Sequence, residues 1–211
     1  MSSALWGTLL AACIVISFTP GAGAINTMSN SLSQGWRRSI WGIIGQQLAL
    51  IVHVIIVAAG VGLIVSQSEL LFNIIKYAGA AYLVFLGIRL ILTRPAVDDG
   101  DDDAPNTDDA REGRWSMVRR GLWVNLLNPK AIVFFLAFIP QFVRLDQPQL
   151  PQYLTIIVTT IIVDIVVMWG FFAAAARPFR RLTRSTRGQR ILNTTFGCLF
   201  IVVAGVLALV H

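Results

Sequence analysis

The sequence predicts an all-α integral membrane protein of six transmembrane helices, arranged as two inverted three-helix repeats with broken helices at Pro20-Gly21 and Asn128-Pro129. Three observations predict it. First, 55% of the 211 residues are hydrophobic and 13% are charged, where ordinary globular chains carry about 25% charge. Second, six windows are almost free of charge: residues 4–25, 40–65, 70–92, 121–143, 153–176 and 191–210. Each is long enough to cross a hydrocarbon core of about 30 Å, which takes about 20 helical residues. Third, the first window of each group of three is interrupted by a proline next to glycine or asparagine.

Core helices of a soluble protein would show polar faces at a period near 3.6 residues, and these windows do not. The first window reads as a span, not a cleaved leader, because no basic residue precedes Arg37 and its apolar run exceeds a typical leader core. Charge between the windows is one-sided. Of the 17 basic residues, 14 lie in or border the connections between spans one and two, three and four, and five and six. Cytoplasmic loops carry the Lys and Arg, so both termini are expected outside. The net charge of +6 then reflects basic loops facing anionic membrane lipid, and no nucleic-acid partner is expected.

The two repeats are placed at residues 1–94 and 111–211. Between them, residues 95–110 form an acidic cytoplasmic loop with seven aspartates in residues 98–109. It is read as solvated chain. It lacks the glycine and glutamate positions of a calcium-binding EF-hand loop. Cys13 and Cys198 have no metal-ligand or C-x-x-C spacing, so no metal site is expected.

Some residues do not belong in lipid. Asp164 stands mid-span in Ile161-Ile-Val-Asp-Ile-Val-Val167, where a carboxylate costs about 2.5 to 3.5 kcal/mol by insertion scales. His53 interrupts the second span. Counted from the ends of their helices, both lie roughly 18 to 21 Å deep, near the midplane. His53 read alone fits equally well a core histidine with one interhelical hydrogen bond. Gln46, Gln47, Asn125, Asn128 and Asn193 add polar groups of the kind that also join helices.

The segments Phe18-Thr-Pro-Gly-Ala-Gly-Ala24 and Asn125-Leu-Leu-Asn-Pro-Lys-Ala131 break their helices in a related way. Proline removes an amide donor and clashes with the preceding turn. Unwound backbone at membrane depth is tolerated where it is buried in protein or lines a polar cavity. An odd number of spans per half forces the halves to insert inverted, and broken helices at matching positions of inverted halves point to a transporter's substrate site.

Ser17-Phe-Thr-Pro-Gly-Ala-Gly-Ala-Ile-Asn-Thr-Met28, Lys76-Tyr-Ala-Gly-Ala-Ala-Tyr-Leu-Val-Phe-Leu-Gly-Ile88 and Val124-Asn-Leu-Leu-Asn-Pro-Lys-Ala-Ile-Val-Phe134 together resemble the lysine exporter superfamily, in its homoserine and threonine resistance branch. The resemblance runs over nearly the whole chain. Many members carry an acidic residue after the glycine of the second span, where this chain reads Gly45-Gln-Gln47, so no second carboxylate carries over.

The resemblance implies a multi-pass protein of the bacterial inner membrane that exports small neutral amino acids, such as homoserine, its lactone or threonine, against protons. It implies no enzyme activity and no cofactor, and leaves a homo-oligomer open. Against that chemistry, the half-helix opening at Pro20-Gly21, with Gly23 in its first turn, offers backbone amides and a positive dipole end for the substrate carboxylate. Lys130 is a second anion partner. Asp164 is expected to receive the ammonium, and Asn26, Gln47, Asn125 and Asn128 to form the polar wall. Coupling follows if Asp164 alternates between proton and ammonium, with His53 as proton relay. One charge moved through 100 mV yields about 2.3 kcal/mol, a gradient of roughly forty-fold at about 1.4 kcal/mol per decade.

Two rival classes read less well. A divalent-metal exporter wants several carboxylates at one site, and a thiol-disulfide relay wants a cysteine in the first span of each half. The spans hold one deep acid, and the fourth has no cysteine.

Overall fold

The computed structural model describes residues 3–67, 69–93, 111–144, 146–178 and 185–209. The acidic loop at 95–110 lies outside the described residues. Those residues are helical with short connections: α1 (Ser3–Phe18), α2 (Ala22–Gln34), α3 (Trp36–Gln67), α4 (Glu69–Leu92), α5 (Arg114–Leu126), α6 (Pro129–Phe138, extended by a 3-10 turn to Phe142), α7 (Gln149–Ile165, continuing as π-helix over Val166–Ala173) and α8 (Thr186–Leu209). Helices satisfy every backbone group within one segment, which hydrocarbon demands.

Two stretches, Trp36–Gly60 and Gln149–Ala173, are each long and apolar enough to cross a membrane. Two helix pairs meet the same test when each is taken as one span: α1 with α2, bent by 57°, and α5 with the α6 segment, bent by 59°. Both bends fall at the prolines singled out above. The first helical segment runs past the predicted window end at residue 25, on to Gln34.

Helix packing rests on glycine. α3 crosses α5 so closely that a Cβ on Gly45 would overlap the Val118 carbonyl and lie 2.7 Å from the Leu122 amide nitrogen. A Cβ on Gly121 would overlap the Gly42 carbonyl. Gly87 of α4 and Gly197 of α8 face one another, and a Cβ on either would lie 2.6 Å from the other's carbonyl oxygen. Lipid gives apolar helices no hydrophobic reason to associate, so close backbone approach at small residues supplies the packing. Gly45→Val is therefore expected to destabilise the protein by about 1 to 3 kcal/mol, seen as a lower melting temperature in detergent. Gly60→Ala serves as the control, because a Cβ there meets nothing within 4 Å; equal melting of the two variants would contradict this packing.

A reciprocal tryptophan pair ties the start of α3 to the π-helix. The Trp36 and Trp169 rings stack in parallel with centroids 4.6 Å apart. Each indole N–H donates to the other residue's backbone carbonyl, at 3.1 Å from Trp36 and 3.2 Å from Trp169. Ser31 donates to the Ala173 carbonyl at 2.6 Å, satisfying an acceptor in the turn where the π register ends. π segments cluster at functional sites, and this one begins two residues after Asp164.

The core between these helices is aromatic and aliphatic, with Phe138, Phe142, Phe172, Leu9 and Ile156 fully buried. Outside it, the connection after α6 is stapled by Gln152, which accepts from the Arg144 amide at 2.8 Å and donates to the Arg144 carbonyl at 2.9 Å. Exposed Arg144 and Asp146 pair at 2.9 Å, and that hydrogen bonding holds the Asp146 carboxyl below its usual range. Both cysteines are free, Cys13 buried and Cys198 exposed.

Candidate functional site

The two helix breaks differ in how their new helix begins. After Phe18 the helix breaks, with the Thr19 hydroxyl donating to the Val15 carbonyl at 2.8 Å. Gly21 is extended, and α2 opens at Ala22 with no side-chain cap, so its first-turn amides are open to a ligand. At the other break, the Asn128 side chain accepts from the Lys130 amide at 3.1 Å and caps α6. Only the α2 end is therefore left as an anion site, where free N–H groups and the dipole favour negative charge.

Lys130 reaches from α6 to the first break. Its ammonium donates to the Thr19 carbonyl at 2.6 Å and the Ile16 carbonyl at 3.1 Å, oxygens at the C-terminal end of α1, where a cation offsets the negative dipole end. An ammonium has three donors, so one remains for a ligand. The expected anion partner is thus also a strut that sets the bend.

Asp164 sits on α7 opposite these groups. One carboxylate oxygen accepts from the Ser17 hydroxyl at 3.1 Å, the other from the Gln47 amide at 2.6 Å. Around them lies a cavity of about 50 Å³, room for a few waters. It is lined by Ser17, Gly21, Gly23, Gln46, Asn125, Asn128, Lys130, Thr160 and Asp164, with Phe134, Phe135 and Met168 among its apolar walls. One cavity thus holds an anion on α7, and a cation beside an uncapped helix start.

Most of the predicted site residues meet here, and Gln47 supports it from behind through Asp164. Two do not. Asn26 is buried between α2 and α3, with its amide nitrogen over Gly42 and not in the cavity lining. His53 stands in a separate apolar groove with Val52, Ile56 and Leu136. Its Nε2 meets the Leu126 carbonyl at 3.3 Å, its ring stacks on Phe135 at 5.5 Å, and its Nδ1 is buried without a partner. Phe135 lines both the groove and the cavity, so His53 and Asp164 share no hydrogen bond. Ser17, Gln46 and Thr160 were not predicted, since hydroxyls and amides in spans ordinarily serve as interhelical contacts.

The chain matches the LysE type translocator family over residues 14–210. It belongs to that family. It is 41% identical over 203 residues to a homoserine/homoserine lactone efflux protein of Salmonella typhimurium, covering 96% of this chain and 95% of the relative. The corresponding protein of Salmonella typhi is 40% identical over the same shares. An uncharacterized membrane protein of Vibrio cholerae is 38% identical, over 93% of each chain. No solved structure matches. The family places this translocator in a membrane, consistent with the apolar helices above.

Proposed function

We propose that the protein is a proton-coupled exporter of small neutral amino acids, with homoserine, homoserine lactone or threonine as substrate. The observation that carries this is the complementarity of one cavity to a zwitterion such as homoserine or threonine, whose ammonium site also suits the lactone. Asp164 stands on α7, and the uncapped start of α2 with Lys130 stands at the other wall. Substrate ammonium takes the place of the Ser17 and Gln47 donors at Asp164, while its carboxylate meets the amides after Gly21 and the third Lys130 donor. The side-chain hydroxyl falls among Asn125, Asn128 and Gln46. A metal cargo, the rival reading, would find a single carboxylate and an ammonium in the same cavity, where a hard cation is bound by several oxygen ligands with no cation beside it.

Coupling is assigned to Asp164 alone: it carries a proton or pairs with an ammonium, and not both. A proton reaches it through water in the cavity, because His53 lies behind Phe135. The six spans form two inverted halves, residues 1–94 and 111–211, with both termini outside and no partner required beyond lipid, substrate and protons. The like bends of the two broken pairs, 57° and 59°, support that repeat. Labelling of a cysteine placed at residue 100 by an impermeant reagent from outside the cell would overturn the orientation.

The function is tested by counterflow in proteoliposomes against a panel of labelled amino acids and divalent cations. Saturable exchange of homoserine or threonine without cation movement is the expected result; cation movement alone would contradict it.

A further inference from the structure

A second polar cluster lies one turn from the cavity, toward the arginine-rich face, and it is unbalanced. Asn26 and Asn30, four residues apart on α2, are both buried, and the amide nitrogen of each has no acceptor. The two nitrogens converge over Gly42 of α3: a Cβ there would overlap Asn30 Nδ2 and lie 3.4 Å from Asn26 Nδ2. Arg38, one turn back on the same face of α3, has a buried Nε that is also without a partner. Buried donors are nearly always paired, and two converging on one glycine, with a third on the residue one turn back, mark a place for an acceptor.

The surrounding charge is positive. Arg120 of α5 donates to the Asn30 side-chain oxygen and pairs with Glu112 at 2.8 Å. The Glu112 carboxylate is occupied by that pair and by the Ser116 hydroxyl at 2.8 Å, while Arg38 holds the Glu112 backbone carbonyl at 2.5 Å. Arg120 is half-exposed and joins the fully buried Asn30 to the surface. Inward, Gln46 follows Gly42 by four residues, about 6 Å along α3. It donates to the Thr27 hydroxyl and to the Gly23 carbonyl, both at 3.1 Å, and lines the cavity. Arg38, Gly42 and Gln46 thus form one polar stripe on α3, facing Asn26 and Asn30 on α2.

We propose that the Gly42 cluster is a carboxylate-binding station, where an amino acid docks from the arginine-rich face before reaching the Asp164 cavity. This rests on the function proposed above. Asn30 Nδ2 fills the place that a Gly42 Cβ would take, so the carboxylate displaces that amide outward as its two oxygens take the donors of Asn26, Asn30 and Arg38. Glycine at 42 is then a requirement of the close approach of Asn26 and Asn30 on α2.

The test compares homoserine with homoserine lactone, which keeps the ammonium and lacks the free carboxylate. Both are presented at the arginine-rich face of oriented vesicles containing the full chain, and KM is measured for wild type, Asn26→Asp and Asn26→Leu. Loss of a hydrogen bond to a charged group predicts a homoserine KM raised about tenfold or more, most for Asn26→Asp, with lactone KM within about twofold. Asn26→Leu keeps the side-chain volume and removes the donor, so it gives the same reading if the aspartate variant fails to insert. Unchanged homoserine KM, or equal change for both compounds, overturns the station. A wild-type protein that moves neither compound overturns the proposed function itself, and the station with it.

Discussion

Asp164→Asn is expected to abolish uphill efflux while leaving downhill exchange of substrate measurable. Ser17 and Gln47 donate to separate oxygens of the carboxylate at 3.1 and 2.6 Å. Asparagine keeps the size of aspartate, its oxygen still accepts from Gln47, and its amide nitrogen donates to the Ser17 hydroxyl instead of accepting from it. It cannot ionise, so it neither carries a proton nor pairs with an ammonium. Folding should survive, since removing a charge from the membrane interior is favourable. The dependence of transport on pH should disappear with the uphill component. Accumulation ratios in energised vesicles would show it: a ratio near one is expected for the variant. A wild-type ratio and pH profile would reduce Asp164 to a polar contact between α7 and its neighbours.

Lys130→Met is expected to raise the homoserine KM about ten- to hundredfold, the effect of losing a charge-assisted hydrogen bond. The substitution also strips the Ile16 and Thr19 carbonyls of the ammonium that joins them, so part of the loss is structural. Homoserine lactone separates the two contributions, because it has no carboxylate to miss the cation and would report only the altered bend. Lys130→Arg should recover part of the homoserine affinity, since it restores the charge in a different donor geometry. Equal losses for both compounds would show that Lys130 acts only as the strut between α6 and α1.

Much of the fold was legible because hydrocarbon leaves a chain few options: the charge-poor windows became helices, and Pro20 and Pro129 fell at the bends. The helical extension from residue 25 to Gln34 was not legible. Hydropathy places Asn26, Thr27, Asn30 and Ser31 outside a span, yet Thr27 and Asn30 are fully buried, because their polar groups face protein instead of lipid. Hydropathy scores the residue and not its neighbour.

At the site, counting along the helix gave depth but not direction. His53 and Gln47 are six residues apart on α3, about 240° around the axis at about 100° per residue. Only one of the two can face α7. Gln47 does, and bonds Asp164, while His53 faces Leu126 and Phe135. The same geometry turned Asn26 toward Gly42. Asp164, Lys130, Gly21 and Asn128 could be placed together because a lone charge or a helix break in a membrane needs a protein-lined site whichever way its helix turns.

The central claim is that a substrate ammonium and a proton compete for Asp164. It is tested most directly by recording luminal pH with an entrapped dye while homoserine is added to one side of proteoliposomes containing the wild-type protein. The account predicts proton movement opposite to homoserine, saturating with it and absent in Asp164→Asn. Homoserine transport with no accompanying proton movement, at the same rate in both proteins, would contradict it.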